Sequence, residues 1–209
     1  QAVSTLVRTG KFTGGGGFEA MVRQENKRPN FVREEFSIQG MTGITAYDGK
    51  TGWKIEPWGG RRDPEALGEE ELKGILEDAD FEGPLVNAKE KGYAVKYLGT
   101  DPVDGTDAHK LEVTLRADDI WTFYMDMDYY VPIKIEIRRS VRGEVREYEI
   151  ALGDYKEVNG WFMPFFLEAK GKGDPSGAKT TYEKIEANVP LDEGRFRQPP
   201  VGGSGQPGK

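Results

Sequence analysis

Apolar and polar residues alternate with a period of two along most of this chain. Such alternation is expected of a β-strand that has one covered face and one face in water. It begins in LVRTGKF (6–12), FEAMVRQENKR (18–28) and NFVREEFSIQG (30–40). The next stretch, TGITAYDGKTGWKIEPW (42–58), is typical of a hairpin that turns at Asp48-Gly49. We therefore predict five strands in the first 60 residues.

The alternation is interrupted in PEALGEEELKGILEDADF (64–81). Here Leu72, Ile75 and Leu76 fall at helical spacing, and acidic residues occupy the first turn, where they suit the positive end of the helix dipole. Glycine inside a helix costs about 1 kcal/mol relative to alanine, so Gly74 predicts a modest, mobile helix. We predict a helical insertion over about 64–81.

Strand-like alternation then resumes and continues almost to the end. It predicts seven further strands at 93–99, 108–116, 119–128, 132–140, 144–158, 161–173 and 179–189. Short turns between successive strands favour an antiparallel meander over β-α-β units. About a dozen strands in one domain would have to curl or split. With 209 residues in all, we predict one domain over 1–197, followed by a Pro- and Gly-rich tail over 198–209.

Composition excludes several classes of function. The net charge of −7 argues against a nucleic-acid partner, and the absence of cysteine excludes disulfides and thiolate sites. No apolar run approaches the roughly 20 residues that a membrane-spanning helix needs. The chain opens at Gln1 in QAVSTLVRTGKF without a signal peptide, which we expect of a mature or trimmed form.

No catalytic, metal or cofactor motif is recognisable. His109 is the one histidine, and without partners of its kind it is better explained as an ordinary strand residue than as a catalytic or metal-binding group. Asp126 and Asp128 could hold calcium or act as an acid and base, but their position before Pro132 favours two solvent-facing acids at a turn. We expect a protein that is not an enzyme and carries no cofactor or metal.

One strand carries an unusual amount of large apolar surface. In DIWTFYMDMDYYVP (119–132), Trp121, Phe123, Met125 and Met127 alternate with polar residues. Such side chains usually form core, but methionine also lines surfaces that accept flexible apolar guests. The residues alone leave both interpretations open.

Four segments resemble the LolA-like periplasmic proteins, which are outer-membrane lipoprotein-sorting proteins. They are YLGTDPVDGTDAHKLEVTLRADD (97–119), FYMDMDYYVPIKIEIRR (123–139), DYKEVNGWFMPFFLEAKGKG (154–173) and ANVPLDEGRF (187–196). The likeness is close from about 93 to 197 and looser in the first strands. All four carry turn chemistry between strands and no catalytic motif, so the resemblance specifies a fold better than a task.

The resemblance implies a mainly β fold. Its strongly curved antiparallel sheet, of about eleven strands, would form an unclosed β-barrel with a helical plug or lid. Trp121, Phe123 and Met125 would then face an apolar concave cavity, with Thr122 and Tyr124 on the convex side. The other residues expected to line this cavity are Leu111, Val113, Leu115, Ile133, Ile135, Ile137 and Trp53. The lid would present Leu72, Ile75 and Leu76.

The resemblance also implies a task in the periplasm, reached by secretion across the inner membrane. Members of the family shelter acyl chains in the cavity, so the expected partners are acyl chains of lipids or lipoproteins, with only transient membrane contact. The alternative is a non-enzymatic sensor or scaffold of the cell envelope that binds a protein partner. A cavity filled by the chain's own side chains would favour the alternative.

Overall fold

The structure is a computed structural model that describes residues 2–174 and 176–200. The fold is mainly β, with one α-helix and one short 3-10 helix in the described residues. The first six strands are β1 Thr5–Thr13, β2 Glu19–Lys27, β3 Phe31–Ile38, β4 Met41–Tyr47, β5 Gly52–Ile55 and β6 Glu65–Ala66. The helix α1 follows at Glu69–Ala79. The remaining elements are β7 Ala94–Val103, β8 Thr106–Arg116, β9 Asp119–Asp126, β10 Pro132–Val141, β11 Glu144–Val158, β12 Trp161–Gly171, β13 Ala178–Ala187 and the 3-10 helix Glu193–Phe196.

The strands form one antiparallel sheet that is not closed into a barrel. Its order is β6-β5-β4-β3-β2-β1-β13-β12-β11-β10-β9-β8-β7, so nearly every strand pairs with its neighbour in the chain. The predicted fold class, an unclosed antiparallel sheet with a short helix, is confirmed. The sheet has thirteen strands where about eleven were expected, and β6 contains only two residues.

Strand β9 ends earlier than the alternation predicted. The Oδ1 atom of Asp126 accepts hydrogen bonds from the backbone N–H groups of Asp128 (2.9 Å) and Tyr129 (2.7 Å), which closes a turn. Met127 therefore lies in this turn, and its predicted place on the face of the strand is wrong. The interpretation of this acidic pair as turn chemistry agrees with these bonds.

The contacts divide the described residues into two compact units. The first comprises the described parts of 1–10, 20–81 and 184–209, and the second comprises 11–19 and 82–183. A single domain over 1–197 stays a prediction. Of the predicted tail, residues 198–200 have no regular secondary structure, and 201–209 lie outside the described residues.

In the first unit, α1 packs on one face of the sheet. Its buried residues Ile75 and Ala79 contact Val32 of β3, and Nδ2 of Asn26 donates a hydrogen bond of 2.7 Å to the carbonyl of Asp78. The predicted insertion over 64–81 is thus a helix only from Glu69 onward, because Glu65–Ala66 pair with β5 instead.

The 3-10 helix of the first unit is fixed by a buried ion pair. The Nε and Nη2 atoms of Arg195 bind the two carboxylate oxygens of Glu25 at 2.8 and 2.9 Å, and Arg23 donates a third hydrogen bond of 2.8 Å. The Glu25 side chain has no exposed surface. Next to Arg195, Phe196 is fully buried, and its carbonyl accepts a 2.7 Å hydrogen bond from Trp53. We call Glu25, Arg23, Arg195, Phe196 and Trp53 the clasp.

The clasp makes stability depend on pH. Burial by itself raises the pKa of Glu25, but hydrogen bonds from Arg195 and Arg23 outweigh it and bring the pKa below its ordinary value of 4.5. A lowered carboxyl pKa gives stability that is present above the ordinary value and is lost as pH falls through the folded-state value. Glu25→Gln is therefore expected to lower the free energy of unfolding at neutral pH and to flatten its decline in acid.

Urea unfolding from neutral pH down to about pH 3 tests this expectation. The difference in the free energy of unfolding between wild type and Glu25→Gln should become smaller as the pH falls. Glu19→Gln, an exposed site on the same strand, is the matched control and should follow the wild-type curve. A gap of constant width at every pH would contradict the assigned ion pair.

Candidate functional site

A continuous apolar surface crosses four neighbouring strands of the second unit. In the register, Phe123 of β9 stands opposite Leu111 of β8 and Ile135 of β10, and Ile135 stands opposite Ile150 of β11. Residues directly opposite each other point to the same face of a sheet. We define the apolar stripe as Leu111, Val113, Leu115, Trp121, Phe123, Met125, Ile135, Ile137, Ile150 and Leu152.

The stripe has a buried centre and half-buried flanks. Val113 has no exposed surface and Phe123 is 4% exposed, whereas Trp121 and Met125 on the same strand are only half-buried. The rings of Trp121 and Phe123 are stacked, with centroids 6.1 Å apart. The indole Nε1 of Trp121 donates a 3.0 Å hydrogen bond to Asp119, which fixes the orientation of the ring.

The stripe is covered by the segment that joins α1 to β7. Leu85 and Tyr93 of this segment pack against the stripe. The segment is made of turns, held by a backbone hydrogen bond from Tyr93 to Ala88 (2.8 Å) and by a bond from Lys91 Nζ to the carbonyl of Gly83 (2.8 Å). Segments without regular hydrogen bonding open at a lower free energy than central strands. We call residues 82–93 the cover.

The structure places eight of the ten predicted cavity residues in the stripe. They are Leu111, Val113, Leu115, Trp121, Phe123, Met125, Ile135 and Ile137. Ile133 lies at a register shift between β9 and β10 and is half-buried. Trp53 belongs to the clasp of the first unit and is 1% exposed.

The predicted lid residues all lie on α1, but they differ in exposure. Ile75 is 4% exposed in the cluster around Val32, Leu72 is partly buried in that cluster, and Leu76 is 41% exposed. Their lid function stays a prediction.

Sequence reasoning missed the cover and one flank of the stripe. Ile150 and Leu152 continue the alternation in EYEIALGD, so their period of two could have placed them. Leu85 and Tyr93 carry no such signal, because a segment built from turns has no periodicity.

The opposite face of the same strands is polar. Tyr124 is 5% exposed, donates a 2.9 Å hydrogen bond to Glu136, and lies between the ammonium groups of Lys110 and Lys134. Burial raises the pKa of Tyr124. Burial alone would also raise the pKa of Glu136, but hydrogen bonds from Lys134 and Tyr124 bring it below its ordinary value. The expectation that Thr122 and Tyr124 face away from the apolar side agrees with this arrangement.

Solved structures of similar fold cover almost the whole chain. A DUF1329 family protein from Desulfovibrio piger has a TM-score of 0.70 at 12% identity, covering 94% of this chain and 91% of its own. A LolA superfamily protein from Nitrosomonas europaea has a TM-score of 0.64 at 15% identity, covering 94% and 90%. This chain has a LolA-like fold.

A third solved structure has a similar fold. A domain from Vibrio parahaemolyticus, provisionally named as an outer membrane lipoprotein-sorting protein, has a TM-score of 0.64 at 10% identity and covers 92% of this chain and 89% of its own. Sequence identities this low show a similarity of fold and nothing more. No protein-family profile matches the sequence, and no curated protein matches it.

His109 of β8 contacts two tyrosines. Its Nδ1 atom lies 3.1 Å from the hydroxyl of Tyr97, and its ring stacks on Tyr130. These contacts place His109 in a cluster of aromatic side chains.

The described part of the chain contains neither a candidate metal site nor a candidate membrane-spanning helix. Within residues 2–174 and 176–200, no three His, Asp or Glu side chains are placed to share a metal ion. Over the same residues, no helix has both the length and the apolar character needed to cross a membrane.

Proposed function

We propose that this protein is a non-enzymatic periplasmic carrier that shelters acyl chains of lipids or lipoproteins on the apolar stripe. The observation that carries the proposal is the stripe itself: four adjacent strands present large apolar side chains on one face, and the element over them is an irregular segment. The LolA-like fold, shared with a protein named for lipoprotein sorting, supports both the carrier function and the periplasmic location.

The energy of burial suits a reversible carrier. Each methylene group removed from water contributes about 0.8 kcal/mol, so a few methylenes on the stripe give useful affinity without a covalent step. Half-buried residues such as Trp121 and Met125 still expose apolar surface to water, so covering them with an acyl chain contributes the most binding free energy. Methionine adapts to chains of different shape at little cost.

Loading requires the cover to move. Leu85 and Tyr93 occupy the stripe, so an acyl chain would have to displace them. The cover is held mainly by turn hydrogen bonds, which makes this displacement less costly than opening a strand pair. In this proposal Leu85 and Tyr93 fill the stripe when no cargo is bound.

The first test measures whether acyl chains bind the stripe. Native mass spectrometry with organic extraction would identify copurified lipid, and a fluorescent acyl probe would be titrated against wild type and Phe123→Arg. The arginine places a charge among apolar side chains, and affinity should fall by at least about tenfold. Trp121→Ala, at a half-buried position, should weaken binding with less risk to the fold.

Phe162→Arg is the matched control for this test. It makes the same substitution at a phenylalanine that is 54% exposed and lies outside the stripe, so probe affinity should stay at the wild-type level. Circular dichroism would show that each variant is folded. Wild-type protein that carries no lipid and ignores the probe would refute the carrier.

The packing of Leu85 and Tyr93 is also the one observation that favours the second candidate, a scaffold or sensor of the cell envelope. In that case the chain's own side chains fill the stripe permanently, and a protein partner binds elsewhere on the surface. A protein that is empty of lipid, ignores the probe and keeps the cover protected from hydrogen exchange would support this candidate.

A further inference from the structure

A groove of about 260 Å³ opens on the polar side of the second unit, and of the stripe residues only Ile137 lines it. This volume is below the roughly 300 Å³ at which drug-sized pockets begin, so the groove suits a small molecule. Its lining comprises Glu112, Ile120, Thr122, Glu136, Ile137, Arg138, Glu147, Tyr148, Glu149 and Lys172. Four carboxylates and two cations thus surround one small space.

Three of the four carboxylates already have partners. Glu136 accepts hydrogen bonds from Lys134 (2.6 Å) and Tyr124 (2.9 Å). Glu147 pairs with Lys172 at 2.9 Å, and Glu149 pairs with Lys170 at 3.6 Å. These groups form a charge-balanced wall, and a ligand would have to break an existing pair to use any of them.

The other two charged side chains in the lining, Glu112 and Arg138, have no such partner among the described residues. Among the described residues, neither Glu112 nor Arg138 makes a side-chain hydrogen bond or an ion pair closer than 4.0 Å. The register places Lys96 opposite Glu112 and Glu147 opposite Arg138, yet neither lies within that distance. The groove therefore contains one available carboxylate and one available guanidinium.

The strand geometry sets the spacing between these two charges. Glu112 is on β8 and Arg138 is on β10, and they flank Thr122 and Ile120 of the intervening strand β9. Two strand spacings across the sheet and an offset of two residues along it put their backbones about 12 Å apart. A ligand that bridges them must carry a positive group and a negative group separated by a short linker.

We propose that this groove binds a small zwitterion, with its ammonium group on Glu112 and its phosphate or carboxylate on Arg138. Charge-assisted hydrogen bonds to a guanidinium and a carboxylate are stronger than neutral ones. An ion of one sign would pair with one of these residues and form no charge-assisted hydrogen bond with the other. The hydroxyl of Thr122 and the methyl groups of Ile120 suit a short linker between the charged ends.

Two sources supply this chemistry: the phosphoethanolamine headgroup of a phospholipid and a free amino acid. Isothermal titration calorimetry on the full chain distinguishes them, with O-phosphoethanolamine and β-alanine as probes and with ethanolamine and inorganic phosphate as single-charge controls. Each zwitterion that fits should bind at least about tenfold more tightly than either single-charge ion. Tighter binding of O-phosphoethanolamine indicates the headgroup, and tighter binding of β-alanine indicates the amino acid.

Variants locate the binding to the groove. Arg138→Gln and Glu112→Gln should each weaken the better zwitterion about tenfold and reduce its preference over the single-charge ions. Arg142→Gln and Glu157→Gln are the matched controls. They replace exposed residues outside the groove and should leave the affinity for the zwitterion unchanged. The proposal is overturned if neither zwitterion binds, if ethanolamine or phosphate binds as tightly, or if the groove variants behave like the controls.

Phe123→Arg separates this site from the proposed carrier function. It should weaken binding of the acyl probe at least about tenfold and leave zwitterion binding intact, because the Phe123 side chain is absent from the lining of the groove. Loss of zwitterion binding in folded Phe123→Arg would overturn the assignment of the zwitterion to the groove.

Discussion

Replacing Arg195 with methionine is expected to lower the free energy of unfolding by about 2–3 kcal/mol. Removal of one partner from a buried ion pair leaves a charge without compensation, and this loss typically costs 3–5 kcal/mol. The expected value lies below that range for two reasons. The Arg195 side chain is itself 42% exposed, and Arg23 still donates to Glu25 after the change.

Urea unfolding measures this cost, with Arg197→Met as the matched control. Arg197 is exposed and makes no side-chain hydrogen bond among the described residues, so its replacement should change stability by less than about 0.5 kcal/mol. A double variant, Glu25→Leu with Arg195→Met, should recover part of the loss, because it removes the buried charge that the single change leaves. Equal stability of Arg195→Met and wild type would show that the clasp contributes nothing.

The clasp also shows where prediction from sequence ends. Strand alternation located twelve of the thirteen strands, since a period of two follows directly from one covered and one wet face. Nothing in ANVPLDEGRF, however, signals that Arg195 pairs with a glutamate 170 residues earlier. Such a pair depends on the order of strands in the sheet, which local pattern does not encode.

The candidate site, like the clasp, could be predicted from the sequence only in part. Trp121, Phe123 and Met125 were placed on one face by alternation alone, and the register joins that face to Leu111 and Ile135. The sequence could not show what covers these residues, because the cover is built from turns. No sequence pattern singles out Glu112 and Arg138 either, since only the ion pairs of their neighbours in the structure distinguish them from other strand charges.

Phe123→Ala is expected to lower the free energy of unfolding by about 3–5 kcal/mol in the absence of ligand. Phe123 is 4% exposed at the centre of the stripe, and truncation of a buried phenylalanine costs both transfer energy and the energy of the void that remains. Urea unfolding measures the change. Phe162→Ala, at a residue 54% exposed, should cost less than about 1 kcal/mol. A small cost at Phe123 would mean that the cover collapses into the space.

An acyl ligand turns this stability measurement into a test of function. A ligand that binds only the folded state stabilises it by RT ln(1 + [L]/Kd), which is about 2.7 kcal/mol at a concentration of 100 Kd. If an acyl chain enters the stripe, saturating probe should stabilise wild type, and Phe123→Ala should respond at least as strongly, because the lost ring leaves room beside the chain. If the stripe is permanent core, the probe should stabilise neither protein, and the 3–5 kcal/mol deficit should remain at every probe concentration. The same pair of proteins therefore distinguishes a lining residue from a core residue, a distinction that burial at Phe123 alone does not make.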